Sequence, residues 1–561
     1  MSKKFVNNIE EVVDDSLRGL VFANSGAQID SNCARVVLQS PLDKSIVGLV
    51  AGGGSGHEPY AAGYVGKGML TGAVAGNVFA SPPSRNVLAA LEGVKSDAGV
   101  ILFVINYTGD RLNFGLASER FNAAGGNSKV VTIGDDVAID NPNSQVGRRG
   151  LAGAVLTIKV AGAMADQQMT IDDICAKTME MVKPENMGTL GVSLYPGSLP
   201  GKKMETNLKD DEMEIGLGIH GEPGKERKKF ATVRNIIQDV MERLSKKMKL
   251  KNDEENLVVM VNNLGSVSQI EMNLVNGEVL NWMESNGMKV QRFFSGLYMT
   301  SLDGHGISVT ILRADTQIIN YLDAPTNAPG WKSAMNIGRK MNTNSISEST
   351  TKLKDVQPSG ASTDPSTVQK FVKSVCDAMQ QSVDQLNKLD AAAGDGDCGS
   401  TFGSAASAIH KEFTNFEWEK PQTVLKQLSI IFEQTVGGTS GALYALMLSA
   451  AAASFTDETG FKACAEAFSK ANQAVQKYGG ARPGDRTMVD SLDALTKSLE
   501  QNPSDYGQAA ESAETAAQST TQQTATVGRA SYTSAESQTS PDAGATAIAL
   551  WIRAIEQAMR K

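Results

Sequence analysis

The chain has 561 residues, 41% of them apolar and 20% charged, and a formal net charge of −9. That length exceeds one hydrophobic core and implies several domains, and the acidic balance argues against nucleic acid or an anionic membrane as partner. Five widely spaced cysteines (Cys33, Cys175, Cys376, Cys398, Cys464) form no CxxC pair and no zinc spacing, which predicts a reducing compartment. The opening MSKKFVNNIEEVVDDSL lacks the apolar stretch of a secretory signal, and no run of about 18 apolar residues suits a membrane span. The cytoplasm is the expected location.

Taken in chain order, short apolar runs alternate with helical patterns as far as Trp331. Ile46–Ala51, Val100–Ile105 and Val130–Ile133 are apolar throughout, as strands covered on both faces are. Phe230, Val233, Ile236, Ile237, Val240, Met241 and Leu244 recur at helical spacing. Leu257–Val261, Lys289–Phe294 and Ile307–Leu312 form a second set of strands. The spacing predicts an α/β domain over 1–334, with lobes at about 1–185 and 186–334. Residues 335–363 lack large apolar side chains and periodicity, and are expected to be a linker. Asp364-Pro365 is a helix start, and Val368 to Leu386 outlines a long amphipathic helix. The Ala-rich, Pro-poor remainder, 364–561, predicts an all-α bundle. The Thr/Ser/Gln/Ala stretch Gln508–Ser540 reads as a polar-faced helix ending near Gly528, with disorder as the alternative. No internal repeat is evident.

Three loops of the C-terminal part draw attention. LDAAAGDGDCG brings Asp390, Asp395 and Asp397 within eight positions, with glycines to bend the chain. Converging carboxylates suit a hard divalent cation such as Mg²⁺ and repel one another without one. A capped Asp/Gly turn or a calcium loop is the alternative, although the DxDxDG pattern is absent. Gly437-Gly438-Thr439-Ser440-Gly441 precedes an apolar helix whose free amides suit an anion. Gly479 to Met488 holds Arg482 and Arg486 before another helix. Neither loop matches the Walker A pattern.

The N-terminal part places GGGSGHEP (Gly52–Pro59) after a strand, so backbone can approach a ligand closely beside His57. Asn106-Tyr107-Thr108-Gly109-Asp110 follows the next strand and puts Asp110 at a carboxyl end, where open α/β sheets bind ligands. His220 lies in GLGIHGE. A lone histidine is most often structural, but two of only four on Gly-rich loops, near an aspartate, point to a site. His305 and His410 read as structural or surface residues.

With GNVFASP, GRRGLAG, MGTLGVSL, GDGDCGSTF, GGTSGALY, ARPGDRTM and GRASY, these motifs run in order along nearly the whole chain. The sequence resembles the single-chain ATP-dependent dihydroxyacetone kinases, the family that includes triokinase/FMN cyclase. The resemblance implies a two-lobed α/β sugar-binding domain followed by an all-α antiparallel helical barrel holding the nucleotide. It implies a homodimer in which one subunit's nucleotide domain can serve the other's sugar site. His220 matches the histidine that captures the ketone as a hemiaminal, Asp110 the general base, and His57, with Gly54, Ser55 and Gly56, the rest of the sugar pocket. Asp390, Asp395 and Asp397 match the Mg²⁺ ligands. Gly396, Cys398, Thr439, Ser440, Gly479, Thr487, Met488, Asp542, Ala543 and Gly544 match ATP-contacting positions, and Arg486 is a candidate further cation near the phosphates.

Two positions depart from the family pattern: Ile105 stands where Lys is common, and Asp542-Ala543-Gly544-Ala545 replaces DPGA. The resemblance also implies D-glyceraldehyde as a substrate and a second activity splitting FAD into AMP and cyclic FMN with Mn²⁺. A non-catalytic sugar-sensing regulator is the rival from another class, and should have lost a chemical residue. A metal-dependent phosphatase would explain the aspartates and leave the histidines unexplained.

Overall fold

A computed structural model describes residues 3–139, 147–202, 206–338 and 352–560. The chain divides into two compact units, residues up to 340 and from 341 onward.

The first unit holds two six-stranded sheets. The first is built from β1 (Ala27–Asp30), β2 (Cys33–Gln39), β3 (Gly48–Ser55), β4 (Gly72–Val78), β5 (Val100–Ile105) and β6 (Ser128–Ile133), in the order β1-β2-β4-β3-β5-β6. β3 pairs in parallel with β4 and β5, and β5 with β6. β3 and β5 are buried at every position, as the apolar run of β5 and the apolar start of β3 suit strands covered on both faces. The second sheet comprises β7 (Met187–Tyr195), β8 (Glu212–Ile215), β9 (Glu226–Lys229), β10 (Leu257–Asn263), β11 (Val290–Gly296) and β12 (His305–Arg313), ordered β11-β10-β12-β7-β8-β9. Only β10–β11 is parallel.

Helix Gly153–Asp166 touches both β3 and β7, and thirteen of its fourteen residues are buried. Its one buried cation, Lys159, gives Nζ to the carbonyl of Tyr321 at 2.8 Å and lies over the Trp331 ring. A single apolar cluster runs from Leu49 and Tyr64 on the first lobe to Tyr298 and Leu312 on the second. The helix Val233–Met248 forms as its apolar spacing predicts, capped by Thr232 and ended by Lys249 in the left-handed region. Phe230 falls outside it, exposed beside β9.

The second unit is helical. Asp364 caps the helix Pro365–Gln381, as its sequence predicts. The amphipathic stretch then breaks at Ser382, and Val383–Asp390 is a separate helix. Helices follow at Cys398–Lys411, Pro421–Ile431, Gly438–Ala452, Phe461–Gly479, Met488–Gln501, Tyr506–Ser519 and Ala543–Arg560. Each of these long helices packs on the next, and the last returns to pack on Pro365–Gln381. They enclose an apolar cavity of about 500 Å³ lined by side chains such as Phe371, Val375, Phe402, Met447 and Trp551.

The polar stretch after Gln508 is helical only to Ser519. The hydroxyls of Thr520 and Thr521 bond back to the carbonyls of Ala517 and Gln518, and short 3₁₀ turns follow. Of the expected linker, 339–351 lies outside the described residues. Residues 353–363 bond to the helical unit through Leu353, Ser359, Ala361 and Thr363. Among the described residues, no helix is long and apolar enough to cross a membrane.

Candidate active site

The glycine loop at the end of β3 owes its composition to close approaches. A Cβ on Gly54 would lie 2.7 Å from the Ala80 amide nitrogen, and one on Gly56, at φ +102°, 2.8 Å from the Phe79 ring. The loop GNVFASP therefore packs directly on GGGSGHEP. The Ser55 hydroxyl is spent on the Gly76 carbonyl at 2.8 Å. The second lobe holds the same loop through main-chain bonds, Leu302 N to Gly56 O at 2.7 Å and Thr300 N to His57 O at 3.1 Å.

His57 is fully buried. Its Nδ1 lies 2.9 Å from the Thr300 carbonyl, which can only accept, so Nδ1 carries the proton. Nε2 is then a bare acceptor, and it has no partner among the described residues. Burial, and the neighbouring His220, hold the His57 pKa down at about 3, so the ring is neutral at working pH.

Asp110 lies in the first turn of the helix Thr108–Ala123 and is 4% exposed. Its carboxylate lies over Gly53, where a Cβ would stand 3.6 Å from Oδ2 and equally far from Ile105 Cδ1. Ile105 thus supplies an apolar wall. Burial pushes the Asp110 pKa up to about 6, against the opposing bond from Ser81 and the field of His220. Oδ1 has no partner among the described residues.

His220 arrives from the second lobe. Leu217 and Ile219 are buried and pin its loop, and Gly216 N bonds to the Gly191 carbonyl at 2.8 Å. Arg149 pairs with the buried Asp136 and donates to the Gly216 carbonyl, tying the loop to the first lobe. The His220 ring meets Tyr107 edge-on at 4.5 Å, His57 at 4.8 Å and Phe79 at 5.5 Å. Glu222 lies behind it, with Oε1 3.5 Å from Nδ1 and Oε2 accepting the His220 main-chain amide at 3.0 Å. Gly54, Ser55, Gly56, His57, Asp110 and His220 are thereby gathered from distant parts of the sequence. Phe79, Tyr107 and Glu222 lie in the quoted motifs, but no spacing rule singles them out.

In the helical unit, Asp390, Asp395 and Asp397 bring carboxylate oxygens within 4.8 Å of one another. Asp390 Oδ2 accepts the amides of Gly396, Asp397 and Cys398 at 2.9, 3.0 and 3.3 Å, which curls the loop around it. The donor set is oxygen only, as Mg²⁺ prefers. Burial and the aspartates push the Cys398 thiol up to about 12, so it stays protonated.

Asp542 belongs to the same region. Burial raises its pKa to about 6, with Arg486 opposing the shift and Asp390 adding to it. Gly544 gives room beside it, since a Cβ there would stand 3.2 Å from Asp542 Oδ1 and 3.4 Å from Met488. Ala543 is buried at the start of the last helix. Thr487 caps the helix Met488–Gln501 in a capping box with Asp490. Thr439 and Ser440 are exposed in the first turn of Gly438–Ala452, and Gly479 ends the helix Phe461–Gly479 beside Leu443. Arg486 does not face solvent: it is 2% exposed, and its guanidinium donates to the Ser540 carbonyl at 2.8 Å. Of the other histidines, His305 bonds Glu271 and His410 pairs with Asp377.

Sequence comparison places a Dak1 domain over residues 18–330 and a DAK2 domain over 392–557. The triokinase/FMN cyclase of Homo sapiens is 40% identical over the full length of both chains. Dihydroxyacetone kinase 1 of Saccharomyces cerevisiae is 32% identical, covering 98% of this chain and 99% of its own. The crystal structure of the C. freundii dihydroxyacetone kinase with AMP-PNP and Mg²⁺ aligns with a TM-score of 0.68 at 29% identity, covering all of both chains. A dihydroxyacetone kinase operon co-activator, Dha-DhaQ, aligns over 58% of this chain with a TM-score of 0.54 and 31% identity. Fold and site together define a two-unit protein with a histidine-lined pocket on an α/β unit and a carboxylate cluster on a helical one. The chain belongs to the dihydroxyacetone kinase family, with Dak1 and DAK2 domains joined in one polypeptide.

Proposed function

We propose that the protein transfers the γ-phosphoryl group of ATP to dihydroxyacetone and to D-glyceraldehyde. The observation that carries this reading is a pair of buried, unpartnered polar atoms, His57 Nε2 and Asp110 Oδ1, flanking the His220 ring. Buried polar groups rarely go unpaired, and two such acceptors around an imidazole suit a small hydroxy-ketone. Nε2 of His220 adds to the ketone carbon, the carbonyl π bond opens, and the oxygen ends as a hydroxyl. His57 Nε2 accepts a sugar hydroxyl. Asp110, ionised above about pH 6, takes the proton of the hydroxyl that is phosphorylated.

Asp390, Asp395 and Asp397 would hold magnesium, which would supply charge neutralisation for the ATP phosphates. Asp542, Gly544, Met488, Thr487, Gly479, Thr439, Ser440, Gly396, Cys398 and Ala543 line the nucleotide site, with free amides at the start of Gly438–Ala452 toward phosphate. We read the helices as a closed antiparallel barrel, supported by the return of the last to the first. We assign domains at 1–334 and 364–561, a homodimer as the working assembly, and the cytoplasm as location. The human relative's name, triokinase/FMN cyclase, supports a second, FMN-cyclising activity, which we assign as release of AMP and cyclic FMN from FAD with Mn²⁺. The co-activator aligns over only 58% of this chain, whereas relatives named as kinases align over nearly all of it, which favours the kinase over the regulatory alternative.

The test is ADP release from the full chain with ATP and Mg²⁺, comparing dihydroxyacetone with glycerol. Turnover with the ketone alone is expected. Equal turnover with glycerol would remove the covalent role of His220, and no turnover with either would sink the kinase reading.

A further inference from the structure

The two histidines of the pocket are fixed by different means. A carbonyl sets His57, while the group facing Nδ1 of His220 is a carboxylate. We propose that Glu222 is a positioning residue for His220: it holds the proton on Nδ1, so that the lone pair of Nε2 faces the ketone. This rests on the capture of the ketone by His220 set out above.

Four features support it. Glu222 grips His220 twice, with Oε2 on its main-chain amide at 3.0 Å and Oε1 3.5 Å from Nδ1. Space for the carboxylate is reserved, because a Cβ on Gly218 would stand 2.5 Å from Glu222 Oε2. Gly221, at φ +76°, makes the reversal that folds Glu222 back onto the residue two before it. Edge-on contacts with Tyr107, His57 and Phe79 leave the ring little freedom to turn. Burial alone would raise the Glu222 pKa, yet the bonds from His220 and main-chain amides hold it at about 2, so the group is an anion when sugar binds.

The chemistry needs such a group. As the Nε2–C bond forms, positive charge develops on the imidazole and the carbonyl pair moves to oxygen. The Nδ1 proton is then given up by way of Glu222 to solvent, and a solvent proton reaches the alkoxide. The sum is addition of N–H across C=O, with no oxidant or co-reactant. An imidazole protonated on Nε2 instead presents no lone pair to the ketone. The arrangement follows the logic by which a carboxylate fixes the tautomer of a catalytic histidine, here with the histidine itself as nucleophile.

The test titrates the full chain, without nucleotide, with dihydroxyacetone carrying ¹³C at the ketone carbon. NMR follows the loss of the ketone signal and the rise of a tetrahedral carbon signal, which should be absent in His220→Ala. In Glu222→Gln the concentration giving half-maximal adduct should rise about tenfold or more. The ¹⁵N shifts of His220 should move toward the Nε2-protonated tautomer, and KM should change more than kcat. Glu222→Asp should recover part of the loss. Gly218→Ala, which displaces the carboxylate without removing it, should reproduce the Gln phenotype and covers the case of a Gln variant that does not fold. Unchanged adduct formation and unchanged ¹⁵N shifts in Glu222→Gln and Gly218→Ala would overturn the role of Glu222 while leaving capture by His220 intact. A wild-type protein that phosphorylates the ketone without a tetrahedral signal would overturn capture itself, and the role of Glu222 with it.

Discussion

The Nδ1 proton of His57, on the first lobe, goes to the main-chain carbonyl of Thr300 on the second, 2.9 Å away. One side chain therefore joins the lobes and, on the proposed function, would offer the substrate an acceptor. His57→Ala should raise KM for dihydroxyacetone about tenfold and lower stability by roughly 1–3 kcal/mol, since a buried carbonyl loses its donor. Steady-state kinetics and thermal melts check both.

His57 should also leave a signature in stability against pH. Its folded pKa, about 3, lies below the ordinary 6.5, so the unfolded chain binds the extra proton. Stability is fully present above 6.5 and is lost as pH falls toward 3. The wild type should lose melting temperature over that window faster than His57→Asn, and parallel curves would contradict the assignment.

Asp110 behaves in the opposite sense. Its folded pKa, about 6, is raised from 3.8, so the folded state binds the extra proton and stability falls as pH rises between these values. Asp110→Asn should abolish turnover, keep the sugar adduct, and gain roughly 1–3 kcal/mol above pH 6. The acid limb of kcat should fall near pH 6. Ile105→Lys, placing a cation beside the carboxylate, should move that limb to lower pH; a limb that stays in place would show that Asp110 is not the group observed.

Asp395→Ala should stop turnover, by at least about a hundredfold, while the dihydroxyacetone adduct forms as in the wild type. Loss of both functions together would mean the aspartates support the sugar site instead of the nucleotide.

Arg486→Met tests a structural role. A buried guanidinium beside Asp542 and bonded to Ser540 should cost roughly 3 kcal/mol when removed. Nucleotide affinity should weaken through displacement of Asp542. A variant of normal melting temperature with weakened ATP binding alone would return Arg486 to the phosphates.

The sequence was legible where burial alone dictates composition. β5 and the first five residues of β10 are apolar runs, and both are buried throughout. β9, Glu226–Lys229, is four charged residues held by main-chain pairing to β8, and nothing in its composition announces a strand. The helix break at Ser382 was equally silent, because the apolar spacing continues through it. His57 and His220 stood out as rare residues on glycine loops. Glu222 and Tyr107 did not, since their meaning lies in contacts made only when the lobes close on one another. Arg486 sat in a loop that reads as phosphate-binding, yet its side chain turns inward to the Ser540 carbonyl.

The helix Gly153–Asp166 carries a consequence for how such a gene can be divided. With thirteen of fourteen residues covered from both sides, it belongs to neither lobe alone. A fission near residue 185 would strand an apolar rod and split the histidine pocket, leaving two fragments that cannot be inherited separately. A break between the two compact units severs neither.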